Sequence, residues 1–164
     1  MKSEPYFSSD ISEFLSLLSK NKVRFLIVGG EAVIFYGYAR LTGDIDVFYE
    51  NSIDNVKRLF EVLNKFWDDD IPGIKSYKEL QKKGIVIQFG IPPNRIDLLN
   101  SIDGVSFGHA WADRVEVSLY HKRKKFPASY IGIDALIMNK KEVKRHKDID
   151  DLRFLTHVKQ GKKR

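Results

Sequence analysis

The chain has 164 residues and no cysteine, carries a formal net charge of +6, and is 43% apolar and 12% aromatic. This length and apolar fraction suit a globular chain that buries its own core, and they exclude an intrinsically disordered one. The lack of cysteine excludes disulfides and thiolate metal sites, and with no apolar run long enough to span a bilayer it predicts a cytoplasmic protein.

No internal repeat or low-complexity linker divides the sequence, so we expect one domain over residues 1–164. We expect the first eight residues to be frayed and residues 160–164 to form a basic tail. Further basic clusters occupy residues 122–125 and 140–147. Such clusters favour polyanions such as RNA, DNA or nucleotide phosphates, but a solvated basic face explains them equally well.

Helices are predicted where apolar residues recur at intervals of three and four positions. Asp10 with Glu13 is typical of a capping box that opens the first helix, and Ser52 is suited to cap the third. The predicted helices span residues 10–21, 31–38, 53–67, 133–138 and 149–158.

Strands are predicted from short apolar runs and from alternation of polar and apolar residues. Residues 44–49 alternate in this way, which places Asp44 and Asp46 on one face of a strand and Ile45 and Val47 on the other. The predicted strands span residues 23–28, 44–49, 84–89, 95–99 and 115–119. The pattern is least regular between residues 104 and 127. Together these elements predict an α+β (mixed α/β) fold, in which helices pack on a central mixed sheet.

Asp44 and Asp46 are the first candidates for chemistry. Residues two apart on a strand lie about 6–7 Å apart on the same face. Two unpaired carboxylates there would repel each other, and a hard cation such as Mg²⁺ relieves the repulsion while also binding substrate phosphates. Taken alone, such a pair of aspartates is found more often on exposed strand faces and in turns than in a metal site.

Gly29 and Gly30 follow the predicted buried strand, fourteen positions before Asp44 in the case of Gly30. Glycine allows a ligand to approach the backbone closely, and N–H groups at the start of the following helix can hold phosphate oxygens. A plain strand-to-helix turn accounts for the same two residues.

Asp97 is the third acid, flanked by apolar residues on a predicted strand. It lies either on a solvated sheet face or beside Asp44 and Asp46. Three convergent carboxylates fit a two-metal site, in which Asp97 would accept the proton of the nucleophile.

These motifs resemble the nucleotidyltransferase superfamily built on the DNA polymerase beta fold. The resemblance starts with V-G-G at residues 28–30 and continues with R-L-T-G-D-I-D at residues 40–46. The second motif is similar to the R-x-T-x-D-I-D form of small bacterial and archaeal members, among them minimal nucleotidyltransferases and toxins of abortive-infection systems. L-I-M-N-K at 136–140 and R-H-K-D-I-D-D-L at 145–152 resemble the ending of these members. The resemblance covers roughly residues 23–155.

The resemblance implies a site for a nucleoside triphosphate and Mg²⁺, or Mn²⁺. It implies catalysis and metal binding at Asp44, Asp46 and Asp97. The implied nucleotide contacts are Gly29, Gly30, Arg40, Thr42, Lys140 and Lys147. A solvated helix face is the alternative for the two lysines. We expect Asp148 and Asp151 to lie outside the metal shell, and pairing with Lys144 and Lys147 on the helix surface accounts for them equally well.

Three functions follow as hypotheses. The first is an enzyme that moves a nucleoside monophosphate from an NTP to an acceptor hydroxyl, on RNA such as a tRNA end or on a protein side chain, and releases pyrophosphate. The second is a catalytically silent module that binds nucleic acid or a partner protein through its basic surface. The third is a toxin silenced by an antitoxin partner.

Overall fold

A six-stranded mixed sheet forms the centre of the computed structural model, which describes residues 7–39, 42–143 and 145–161. The strands are β1 (Phe25–Val28), β2 (Asp44–Tyr49), β3 (Val86–Phe89), β4 (Arg95–Leu99), β5 (Val115–His121) and β6 (Lys124–Tyr130). They lie in the order β3-β4-β2-β1-β6-β5. The pairs β2–β4 and β1–β6 are parallel, and the other neighbours are antiparallel.

Helices pack on this sheet and close the chain. They are α1 (Ser9–Lys20), α2 (Gly29–Phe35), α3 (Ile53–Phe66), α4 (Phe107–Ala112), α5 (Ile133–Val143) and α6 (His146–Gly161), with a 3₁₀ helix at Tyr77–Gln81. Helix α1 packs on α3 and on the β5–β6 hairpin, and α5 packs on α6. The architecture confirms the predicted mixed α/β fold with closing C-terminal helices. Among the described residues, no helix has the length and apolar character needed to cross a membrane.

The core lies between the central strands and the helices. All four residues of β1 are buried, and Ile45 and Val47 of β2 point into the same core, as their alternation with the acids predicts. Helix α3 contributes a buried stripe at helical spacing, formed by Val56, Leu59, Val62 and Leu63. Because the apolar side chains of β2 fill the core, its two acids are left on the opposite face.

The N-terminus differs from the prediction. Helix α1 is capped by Ser8, whose Oγ accepts a hydrogen bond from the Ile11 N–H at 3.3 Å, and Asp10 lies inside the first turn. Phe7 packs against the core, so the expected fraying does not reach Phe7 and Ser8. Residues 1–6 and 162–164, which include the rest of that segment and most of the predicted basic tail, lie outside the described residues.

The region of least regular pattern contains helix α4 and the β5–β6 hairpin. Strand β6 is absent from the prediction, because Lys124, Lys125 and Pro127 interrupt its apolar pattern. The structure accommodates Pro127 opposite Ser118 of β5. Lys122 and Arg123 form the turn with positive φ values of 48° and 66°, as a two-residue hairpin turn requires.

Candidate active site

Strands β2 and β4 bring the three predicted acids together. Their parallel register sets Asp46 opposite Asp97, and Asp44 opposite Arg95, so all four side chains share one face of the sheet. One carboxylate oxygen of each aspartate lies within 4.8 Å of the others. The three acids therefore form a cluster with the donor atoms and spacing that a divalent cation can bridge.

Burial and mutual repulsion alter the acidity of this cluster, which we call the acid triad (Asp44, Asp46 and Asp97). Burial, followed by the charges of Asp44 and Asp97, raises the pKa of Asp46 to about 7, while the Lys140 charge acts in the opposite direction. Burial and the proximity of Asp44 likewise raise the pKa of Asp97, which is 5% exposed. Asp46 and Asp97 thus resist ionisation, and a bound cation would favour their ionised forms, so the triad fits Mg²⁺ or Mn²⁺.

Arg95 is a member of the site that sequence reasoning missed. Its Nη2 donates to Asp44 Oδ2 at 2.6 Å and to Asp97 Oδ2 at 3.3 Å, and its Nε donates to Asp97 Oδ1 at 3.1 Å. Burial opposes ionisation of Asp44, but hydrogen bonds from Asp97 and Arg95 outweigh it and hold the pKa of Asp44 below its usual value. Position 95 shares a strand face with position 97, which is the signal that could have identified it.

Gly29 makes room for one of the acids. It follows β1 with a φ of +65°, and a Cβ placed on it would overlap Asp46 Oδ2. The register of β1 explains the proximity, since Val28 lies opposite Asp46. The close approach that the sequence suggested at this glycine thus occurs with a carboxylate of the same chain. Gly30 is the second residue of α2.

We expect Gly29→Ala to destabilise the protein by about 1–3 kcal/mol, because alanine disfavours this φ and its methyl group would displace the Asp46 carboxylate. Chemical denaturation measures the loss. Gly108→Ala is the matched control, since Gly108 lies in α4 and a Cβ there meets nothing within 4 Å. Equal stabilities of the two variants would contradict this role for Gly29.

The loop before β2 contributes Thr42. Its Oγ1 lies 3.1 Å from Asp44 Oδ1 and 3.2 Å from the Asp44 carbonyl oxygen, so the hydroxyl orients the first acid of the triad. Arg40, which the sequence also assigned to the nucleotide, lies outside the described residues.

The two predicted lysines have different environments. Lys147 is exposed on the first turn of α6. Lys140 is only 4% exposed, and its Nζ lies 3.0 Å from Asp148 Oδ1 and 3.1 Å from Asp151 Oδ2. The solvated-face alternative is therefore wrong for Lys140.

Asp148 and Asp151 correct a second expectation. They are 0% and 1% exposed, so they are buried partners of Lys140 and not surface partners of neighbouring lysines. Arg145 adds a second cation to Asp148, with Nε 2.7 Å from Oδ2. The packing of α5 against α6 buries this group, which the helical pattern alone does not reveal.

A cleft of about 460 Å³ opens beside the triad, a size suited to a small-molecule site. Asp46 and Gly29 line its sheet side, and Lys140 and Arg145 line its helical side. The cleft therefore places acids and cations around one space, which is the charge pattern that a metal-bound polyphosphate requires.

The fold is the one that the resemblance to nucleotidyltransferases predicts, and a match to a family model shows the class of the protein. The chain belongs to the family described as "Nucleotidyltransferase of unknown function (DUF6036)", whose model matches residues 9–160. Family membership makes the protein an enzyme of nucleotidyl transfer with a nucleotide substrate. The comparison with curated proteins finds no match.

Two solved structures are similar in fold. An antigenic nucleotidyltransferase-like protein from Paracoccidioides brasiliensis is 14% identical with a TM-score of 0.51, over 94% of this chain and 79% of that one. The lincomycin-bound lincosamide antibiotic adenylyltransferase LnuA is 15% identical with a TM-score of 0.50, over 94% of this chain and 99% of that one. At these identities the similarity supports the fold alone.

Proposed function

We propose that the protein is a Mg²⁺-dependent nucleotidyltransferase, with Mn²⁺ as a substitute, that moves a nucleoside monophosphate from an NTP to an acceptor hydroxyl and releases pyrophosphate. The observation that carries this proposal is the convergence of three carboxylate oxygens within 4.8 Å beside a cleft. Family membership favours this catalyst over a silent binding module.

In this proposal Asp44, Asp46 and Asp97 hold the divalent ion. When bound, the ion neutralises charge on the triphosphate and on the groups that enter and leave the α-phosphorus. The acceptor oxygen forms a bond to the α-phosphorus, and the bond from that phosphorus to the pyrophosphate oxygen breaks. An Asp97 carboxylate oxygen takes the acceptor proton.

The phosphate contacts remain part of the proposal and have unequal support. Gly29 and Lys140 line the cleft, as does Arg145. Lys140 already pairs with two buried acids, so the exposed Arg145 is the more available cation. The implied contacts without such support are Gly30, Arg40, Thr42 and Lys147.

The acceptor is a hydroxyl of RNA, such as a tRNA end, or of a protein side chain. The basic turn at residues 122–125 lies away from the triad. Tyr130 of β6 lies beside Ile27 in a parallel pair, so Lys124, six residues earlier, lies about 20 Å away from the end of β1 that faces the triad. Pairing with an antitoxin is a further hypothesis, and the neighbouring gene is its simplest test.

The test is transfer of label from each of the four α-labelled NTPs, with Mg²⁺ and with either total RNA or protein lysate as acceptor. We expect one class of acceptor to become labelled by the wild-type protein and not by Asp44→Ala/Asp46→Ala. Labelling by that double variant at the wild-type rate would contradict the proposal.

A further inference from the structure

The guanidinium of Arg95 already serves as the cation of the acid triad. It spans two of the three carboxylates through hydrogen bonds of 2.6 Å to Asp44 and 3.1 and 3.3 Å to Asp97. These bonds engage Oδ2 of Asp44 and both oxygens of Asp97. A charge-assisted pair of this geometry holds both carboxylates in a fixed orientation.

A divalent ion held by the triad would compete with this guanidinium. Mg²⁺ binds carboxylate oxygens at about 2.0–2.1 Å with strict geometry, and either oxygen of Asp97 that it bound is one that now accepts a hydrogen bond from Arg95. The ion and the guanidinium would also repel each other if both contacted the same carboxylates, because the site is partly shielded from water. Full engagement of Asp44 and Asp97 by both cations is therefore unfavourable.

Arg95 can leave without a change in the sheet. Its side chain is 31% exposed, whereas that of Asp97 is 7% exposed, so the guanidinium lies on the solvent side of the pair. The backbone of Arg95 stays fixed by its register opposite Asp44. Rotation of the side chain alone would release both carboxylates.

We propose that Arg95 is a positioning residue that holds Asp44 and Asp97 together in the metal-free protein and is displaced when a divalent ion binds. It limits repulsion within the triad, and it sets the metal affinity by competing for the same oxygens. This inference rests on the proposed function, since it takes the triad to be a metal site.

The experiment measures Mn²⁺ affinity from the electron paramagnetic resonance signal of the free ion, for wild type, Arg95→Met, Arg95→Lys, Asp46→Asn and the control Arg24→Met. Arg24 pairs with Glu50 next to the opposite end of β1, so its loss leaves the triad untouched. We expect Arg95→Met to bind Mn²⁺ about 5- to 50-fold more tightly than wild type. In the wild-type protein the guanidinium competes with the ion for the carboxylate oxygens, and the variant lacks this competitor. Arg95→Lys should lie between them, and Arg24→Met should match wild type.

Thermal unfolding provides a second measurement. In EDTA, Arg95→Met should unfold at a lower temperature than wild type, because its acids repel each other without a counter-charge. Mn²⁺ should raise the unfolding temperature of Arg95→Met more than that of wild type. If Arg95→Met does not fold, Arg95→Lys tests the same trend, since its single ammonium cannot reproduce the two-sided contact.

The outcomes separate this inference from the proposed function. Equal or weaker Mn²⁺ binding by Arg95→Met, with binding lost in Asp46→Asn, would overturn the role of Arg95 and leave the metal site intact. Absence of Mn²⁺ binding in both wild type and Arg95→Met would overturn the metal site, and the proposed function with it.

Discussion

Asp46→Asn is expected to abolish nucleotidyl transfer and, at the same time, to stabilise the metal-free protein. Transfer should fall at least about a hundredfold, because the triad loses an ionised metal ligand. Burial and the two acidic neighbours raise the pKa of Asp46 from 3.8 to about 7, so the ionised carboxylate destabilises the folded protein. The neutral asparagine removes this cost, and stability should rise. The rise in pKa corresponds to at most about 4 kcal/mol, and we expect a measured gain of about 1–3 kcal/mol at pH 8.

The gain should depend on pH in a defined direction. An acid whose pKa is raised by folding binds its proton more tightly in the folded state, so its contribution to stability falls as pH rises from about 4 to about 7. Asparagine does not titrate. The stability difference between Asp46→Asn and wild type should therefore be near zero at about pH 4, grow with pH, and level off above about pH 8.

Urea unfolding in EDTA at several pH values measures this difference, and labelled nucleotide transfer measures the activity. Asp70→Asn is the matched control, since Asp70 is an exposed aspartate in the loop after α3, and it should change neither quantity. An Asp46→Asn variant that is less stable than wild type at pH 8 would contradict the electrostatic description of the triad.

Lys140→Met is expected to cost about 3–5 kcal/mol of stability. The substitution removes the ammonium that lies between Asp148 and Asp151, which are 0% and 1% exposed. An ionised acid that loses its partner in the interior retains its full desolvation cost. Arg145 compensates Asp148 in part, since its Nε lies 2.7 Å from that carboxylate. Chemical denaturation of wild type and variant measures the loss.

Two comparisons isolate the cause. The triple variant Lys140→Met/Asp148→Asn/Asp151→Asn removes the buried charges together and should recover most of the lost stability. Lys159→Met breaks an ion pair with Asp134 that also joins α6 to α5 but is exposed, and it should cost less than about 1 kcal/mol. Similar losses of stability for Lys140→Met and Lys159→Met would show that burial does not increase the contribution of Lys140 and its two acids to stability.

The sequence predicts the bounds of the two strands that carry the acids, because β2 and β4 span residues 44–49 and 95–99 both in the prediction and in the structure. In β2 the acids alternate with core residues, so a period of two fixes which side chains face the site. Convergence of Asp97 with Asp46 depends on parallel pairing of β2 with β4, which are separated along the chain by α3 and β3. The sequence alone therefore left two locations open for Asp97, a solvated sheet face or a place beside Asp44 and Asp46. Strand order depends on contacts between distant parts of the chain, which the local pattern does not contain.

The same non-local packing explains the residues that were missed or misjudged. The contact of Arg95 with Asp44 depends on the pairing of β4 with β2, whereas its contact with Asp97 lies within one strand. Lysines and aspartates are usually solvated, so the burial of Lys140 with its two acids runs against the usual distribution of these residue types. It requires α5 and α6 to face each other, and their contact is set by the tertiary fold.

A crystal structure of the wild-type protein with Mn²⁺ and a non-hydrolysable NTP analogue tests the central claim most directly. The anomalous signal should place Mn²⁺ within bonding distance of Asp44, Asp46 and Asp97, with the triphosphate in the adjacent cleft and the Arg95 guanidinium turned away. Density that keeps Arg95 on Asp44 and Asp97, with no manganese between the three acids, would contradict it.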